Sequence, residues 1–96
     1  MYQTIQDIKA ANKAAGFYFF TNEAMAFFRS RYHHEVLHGR YFFTLETSPS
    51  METKYTVREA LADGSIRTVG QFHAHETLRA AKRFLRDYLA NADAGA

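Results

Sequence analysis

Ninety-six residues with 47% hydrophobic side chains, nine Phe and six Tyr, are enough for one packed core and too few for two. A net charge of +2 draws polyanions only weakly, and the lack of cysteine excludes a disulfide framework, a thiolate nucleophile and any cysteine-bound zinc or iron–sulfur centre. No apolar run reaches the roughly 18 residues of a membrane span and the N-terminus has no apolar signal core, so a soluble cytoplasmic protein with no membrane partner is expected.

Thr4 followed three residues later by Asp7 resembles a capping box, with Asp in place of the usual Glu or Gln. Ile5, Ile8, Ala11 and Ala15 then recur at helical spacing, and Gly16 stands where a terminal glycine ends a helix, which predicts a first helix over 5–15. Phe17-Tyr-Phe-Phe20 reads as an aromatic connector. Thr21 or Asn22 offers the next cap, and a second helix is expected through EAMAFFRSR, burying Met25 and Phe28.

The period then changes to two. Along RYFFTLET, Tyr41, Phe43 and Leu45 fall on one face and Phe42, Thr44 and Glu46 on the other, and Ser48-Pro-Ser50 ends the strand. KYTVREAL and SIRTVGQFH flank Asp63-Gly64, a hairpin signal that pairs Leu61 with Ile66, Val57 with Gly70 and Tyr55 with Phe72. In that register Lys54, Thr56, Arg58, Arg67, Val69, Gln71 and His73 share the outer face. A last helix over 76–90 carries Leu78, Ala81, Leu85, Tyr88 and Leu89 as its apolar stripe. The fold class is α+β: two N-terminal helices, a three- or four-stranded antiparallel meander and a C-terminal helix, with the helices packed on one sheet face. Residues 1–90 form the single domain and 91–96 a flexible C-terminal tail.

His34-Glu-Val-Leu-His38 matches HExxH, in which two histidines one helical turn apart bind zinc and the glutamate activates the bound water. The chemistry depends on residues 34–38 being helical. If His38-Gly39 instead turns a hairpin between HHEVL and RYFFTLE, His34 and His38 stand ~13 Å apart along the strand and cannot share an ion. The hairpin is the preferred reading, without metal, cofactor or catalytic residues; His34 and His38 are the ligands if any metal binds.

Arg79, Lys82, Arg83 and Arg86 recur at i, i+3, i+4, i+7 on the last helix, with Asp87 the one acid beside them. This basic stripe is the candidate surface for an acidic protein or for phosphates, with Arg58 and Arg67 adding to it from the sheet. Lys54, Arg58, Arg67 and His73 beside Phe42 also sketch a weak stacking platform for single-stranded nucleic acid. The surplus of aromatic area leaves one or two rings for an interface, and a homodimer is one use for them.

The stretches TIQDIKAANKAAGFYFF, GRYFFTLETS and KYTVREALADGSIRTVGQF resemble a family of small phage, plasmid and integrative-element proteins known only as a domain of unknown function. The resemblance covers most of residues 4–73, and the closing helix is a looser match. It implies an origin in a mobile element, supplies no catalytic residues, and makes HEVLH a strand before the Gly-Arg-Tyr-Phe strand. The function expected is therefore a non-catalytic protein that binds a host protein or nucleoprotein complex, in its most specific form as an anti-CRISPR-like inhibitor of host defence. Two alternatives stand beside it: direct DNA or RNA binding through the basic helix, and a zinc hydrolase built on HEVLH.

Overall fold

The computed structural model describes residues 1–48 and 51–95. Its elements are α1 (Ile5–Ala14), α2 (Asn22–Ala26), β1 (Arg31–Tyr32), β2 (Tyr41–Ser48), β3 (Met51–Ala60), β4 (Ile66–Val69) and α3 (Leu78–Gly95). The four strands form one antiparallel sheet in the order β1-β2-β3-β4, which is the α+β class expected of the sequence. Among the described residues, no helix is long and apolar enough to cross a membrane. β2 ends at Ser48, while Pro49 and Ser50 of the expected strand end lie outside the described residues. The segment 91–96, set apart as a tail, is taken into α3 as far as Gly95.

The capping box at Thr4 forms as the sequence demands. The Thr4 hydroxyl accepts from the Asp7 N–H at 3.2 Å, and the Asp7 carboxylate accepts from the Thr4 N–H at 3.1 Å. At the other end of α1, buried Asn12 uses both ends of its amide. Its Nδ2 donates to the Gly64 carbonyl at 2.9 Å, and its Oδ1 accepts from the Phe19 N–H at 3.2 Å. One side chain thus ties the β3–β4 turn and the aromatic connector to the same helix.

α2 is much shorter than the helix expected through Arg31. It stops at Ala26, and Arg29 takes a left-handed φ of 49°. The next residues, Arg31 and Tyr32, pair with Leu45 and Thr44 of β2. A sheet ladder that satisfies these backbone groups overrides the local helical pattern. Phe27 is left 76% exposed. Phe28 packs on Phe72, with ring centroids 5.2 Å apart.

The β3–β4 register is one residue away from the one expected. Val57 pairs with Val69, Arg58 with Thr68, Glu59 with Arg67 and Ala60 with Ile66. The Leu61 N–H donates to the Ser65 carbonyl at 2.8 Å, so Ala62, Asp63 and Gly64 make a three-residue loop instead of a two-residue turn. The Asp63 carboxylate accepts from the Ser65 N–H at 2.9 Å, and Gly64 takes the left-handed φ of 88° that such a loop requires. The slip puts Val69 in the core and separates Arg58 from Arg67, which now face opposite sides of the sheet.

Both faces of the sheet are covered, and this corrects the expectation of helices on one side. Tyr41, Phe43, Val57 and Val69 cluster with Ala81 and Leu85 of α3. Phe42 and Ala60 cluster with Ile5 and Ile8 of α1, joined by Phe19 and Phe20 of the connector. Because Phe42 and Phe43 are consecutive in a strand they point to opposite faces, so α1 and α3 sandwich the sheet. Phe42 and Phe43 are each 0% exposed, and removing either side chain to Ala removes about 3–5 kcal/mol of burial and packing.

Two measurements check this packing. An added Cβ at Gly64 meets the Ala11 carbonyl oxygen at 2.7 Å, whereas one at Gly16 meets nothing within 4 Å. Gly64→Ala is therefore expected to destabilise by about 2–4 kcal/mol in urea unfolding, through left-handed strain and overpacking together, and Gly16→Ala by the strain alone, about 1–2 kcal/mol. His75, paired with Tyr55 through the backbone and seated on Phe84 with centroids 4.9 Å apart, has its imidazole pushed below the ordinary 6.5 by burial. The unfolded chain then binds the extra proton first, so its contribution is present above pH 6.5 and is lost as the pH falls through the folded value. Unfolding midpoints measured from pH 8 down to pH 5 are expected to fall less for His75→Gln than for the parent chain.

Candidate functional site

The six cations singled out from sequence do not share one surface. Arg58 is interior, with 12% of its side chain exposed. Its NH2 donates to the Glu46 Oε2 at 3.2 Å, its Nε to the Thr44 hydroxyl at 3.0 Å and its NH1 to the Thr68 hydroxyl at 2.6 Å. Glu46, only 1% exposed, also accepts from the hydroxyls of Thr44 and Thr56, the latter at 2.6 Å. The guanidinium lies between two rings, 5.2 Å from the Phe19 centroid and 5.6 Å from that of Phe72. Burial pushes its pKa down while the Glu46 carboxylate pulls it back up. Arg58 is thus a counter-ion of the core and is not available to a partner.

Arg67 lies on the α3 face. Its Nε donates to Glu59 and its NH2 to the Tyr88 hydroxyl at 3.0 Å, and the Glu59 bond raises its pKa. Arg40 reaches the other oxygen of Glu59 at 3.4 Å. The stacking platform sketched across the outer face does not form. Phe42 is fully buried, Arg58 and Arg67 are on different faces, and the His73 Nε2 sits against the main-chain carbonyls of Glu46 and Glu52.

Residues 34–38 are not helical. Leu37 bridges Tyr41, with the Leu37 N–H donating to the Tyr41 carbonyl at 2.8 Å and the Tyr41 N–H returning a bond at 2.9 Å. His38 and Gly39 turn the chain with φ of 53° and 71°. Between the Tyr32–Thr44 pair and the Leu37–Tyr41 bridge the first side holds two more residues than the second, so the loop bulges around His34 and Glu35. Val36 packs into the α1 cluster and Leu37 into the α3 cluster, the alternation of an extended chain. The one-turn histidine pair that the zinc reading requires is therefore missing, and no group of three or more His, Cys, Asp or Glu that could hold a metal ion occurs among the described residues.

Glu35 has a different occupation. Its Oε1 lies 2.6 Å from the Lys82 Nζ on α3, and that bond is the main cause that holds its carboxyl below the usual range; the charges of Lys82, His33 and His34 add to it. His34 is exposed and stacks on His33 with centroids 4.7 Å apart. No local pattern announces the Glu35–Lys82 link, since the partners are remote in the chain.

Of the six, those that bind no buried acid lie on α3. Arg79, Arg83 and Arg86 are exposed at i, i+4, i+7; Arg86 meets Asp87 at 3.1 Å, and Arg79 and Arg83 make no ion pair among the described residues. The guanidinium row spans about 10 Å of helix. Of the expected site it keeps Arg79, Arg83 and Arg86, ties Lys82 to the β1–β2 loop, and loses Arg58 and Arg67 to internal carboxylates.

A family model described as a family of unknown function (DUF7447) matches residues 4–86. No curated protein and no solved structure matches the chain.

The internal role of Arg58 has a direct check. Arg58→Met strands the Glu46 carboxylate, and about 3–5 kcal/mol of stability is expected to be lost in urea unfolding. Adding Glu46→Gln to that variant is expected to recover part of the loss, because the stranded charge outweighs the change of shape. Equal losses for the single and double variants would contradict this assignment.

Proposed function

The chain belongs to DUF7447, a family whose description assigns no activity, and from the geometry of α3 we propose a non-catalytic binding protein that docks its arginine row on an acidic macromolecular partner. The observation that carries this reading is that Arg79, Arg83 and Arg86 stay outward on one helix face while Arg58 and Arg67 of the sheet neutralise buried acids. Surface cations of this density ordinarily alternate with acids, and Asp87 alone does so here. The setting is the mobile element that the resemblance of residues 4–73 implies, so the partner is a host protein or nucleoprotein complex in the cytoplasm. Inhibition of host defence, in the manner of an anti-CRISPR protein, is the specific form of the proposal. Glu35, the base that a zinc hydrolase would need, is engaged by Lys82, which supports a binding role over a catalytic one.

Direct nucleic-acid binding is the second reading, favoured by the two guanidinium groups without an acid partner among the described residues. A row of about 10 Å is short against the 6–10 phosphate contacts of strong nucleic-acid binders, and it suits a compact acidic patch on a protein better.

Both readings meet in one experiment. The chain and its Arg79→Glu/Arg83→Glu/Arg86→Glu variant are used to capture partners from host lysate, with and without nuclease. Capture by the parent that survives nuclease and disappears in the variant is the expected result. Capture abolished by nuclease, together with a salt slope near −2 to −3 for purified nucleic acid, would transfer the function to the second reading. Identical capture by both proteins would remove α3 from the function.

A further inference from the structure

On the opposite side of the sheet from α3, α1 and the aromatic connector enclose a cleft of about 780 Å³. Phe17, Tyr18 and Phe20 line it together with Lys9, Lys13 and Gly16. Tyr18 is 75% exposed and Phe17 42% exposed. Such exposure is unusual beside Phe19 and Phe20, whose rings pack edge to face at 4.8 Å and continue into the core through Phe42.

The outward pair is held in place by built contacts. The Phe17 N–H donates to the Asn12 carbonyl at 3.0 Å, and the Phe19 N–H donates to the Asn12 side-chain oxygen at 3.2 Å. Buried Asn12 therefore fixes the connector on both sides of Tyr18, sending Phe19 inward and leaving Tyr18 outward. Gly16 has nothing within 4 Å of where a Cβ would stand, so the mouth is open at the end of α1.

The charge of the cleft is one-sided. Lys9 and Lys13 line it and no acid does. Lys9 is positioned by a 2.9 Å bond to the Tyr32 hydroxyl and by the Tyr32 ring, 5.0 Å from its Nζ. Lys13 stands in the last turn of α1. A cleft in the size range of small-molecule sites, lined by aromatic side chains of the connector and by two lysines of α1, suits a ligand that is planar and aromatic at one end and anionic at the other.

We propose that this cleft binds a nucleoside phosphate, its base against Tyr18 and Phe17 and its phosphate at Lys9 and Lys13. Base–aromatic contact and an ammonium–phosphate pair are individually weak in water, so neither half of the ligand suffices alone. The site shares no residue with the arginine row of α3, and it neither requires nor excludes the partner proposed for that helix.

Calorimetric titration of the full chain with the common nucleoside 5′-monophosphates, the matching nucleosides and inorganic phosphate tests this. Saturable binding of at least one monophosphate is expected, tenfold or more tighter than its nucleoside or phosphate. Tyr18→Ala and Lys13→Ala are each expected to weaken it about tenfold, since both side chains lie at the surface and leave the core contacts intact. The α3 triple variant is expected to bind as tightly as the parent, so failure of the cleft and failure of the α3 reading are read separately. No saturation by any monophosphate at millimolar concentration, or affinity unchanged in both Tyr18→Ala and Lys13→Ala, would overturn the proposal.

Discussion

The buried pair of Arg58 and Glu46 fixes more of this molecule than any other interaction. An ion pair removed from water is favourable only when its remaining donors and acceptors are satisfied, and here nearly all of them are. Thr44, Thr56 and Thr68 supply hydroxyls, Phe19 and Phe72 cover the guanidinium, and the Thr56 oxygen accepts the His73 N–H at 2.8 Å. Those partners come from three strands, the connector and the loop before α3. Moving any one strand by a residue would turn its threonine to the other face and leave a donor or acceptor of the pair without its hydroxyl partner. The pair is thus a specification of register as much as a source of stability.

Glu59 does the corresponding work on the other face. Its two oxygens receive Arg40 and Arg67, and Arg67 passes the contact to the Tyr88 hydroxyl of α3. The two acids lie on neighbouring strands, one facing α1 and the other α3, so each helix closes over a sheet face with a neutralised carboxylate. The mildly basic total of the chain therefore hides an uneven distribution. Two cations of the sheet, Arg58 and Arg67, are committed to buried carboxylates, while Arg79, Arg83 and Arg86 of α3 form an exposed row with one acid beside them.

Local pattern carried the elements whose neighbours are near in sequence. Thr4 and Asp7 announced α1, alternation announced β2, and the stripe around Leu85 announced α3. What the pattern missed depended on contacts remote in the chain. Glu46 and Arg58 look like a solvated strand face until Phe19 and Phe72 cover the guanidinium. Asp63-Gly64 invites a two-residue turn, yet the closing Leu61–Ser65 bond and the Asn12 contact at Gly64 select a three-residue loop and shift the whole strand. The i, i+4 spacing of His34 and His38 is real, but spacing alone cannot say whether the chain between them rises 1.5 Å or about 3.3 Å per residue. Pairing of Leu37 with Tyr41 decides that.

A sheet covered on both sides also separates what the exterior can do. The α3 row and the cleft at the end of α1 lie on opposite faces, with Phe42 and Phe43 between them. Ligands at the two sites would not compete for space, and coupling between them would have to run through β2 and β3, where the buried carboxylates resist sliding. Such a core is bistable only at the expense of a stranded charge, which makes a large rearrangement of the sheet an unfavourable route. The simpler expectation is two independent surfaces on a rigid frame. The loop around Glu35 is the exception: its carboxylate reaches Lys82 on α3 while Val36 packs toward α1, so this bulge touches both sides of the sheet. A partner that drew Lys82 away from Glu35 would alter the loop before it altered any strand, and the residues that resemble a zinc motif are then the segment best placed to respond to binding at α3.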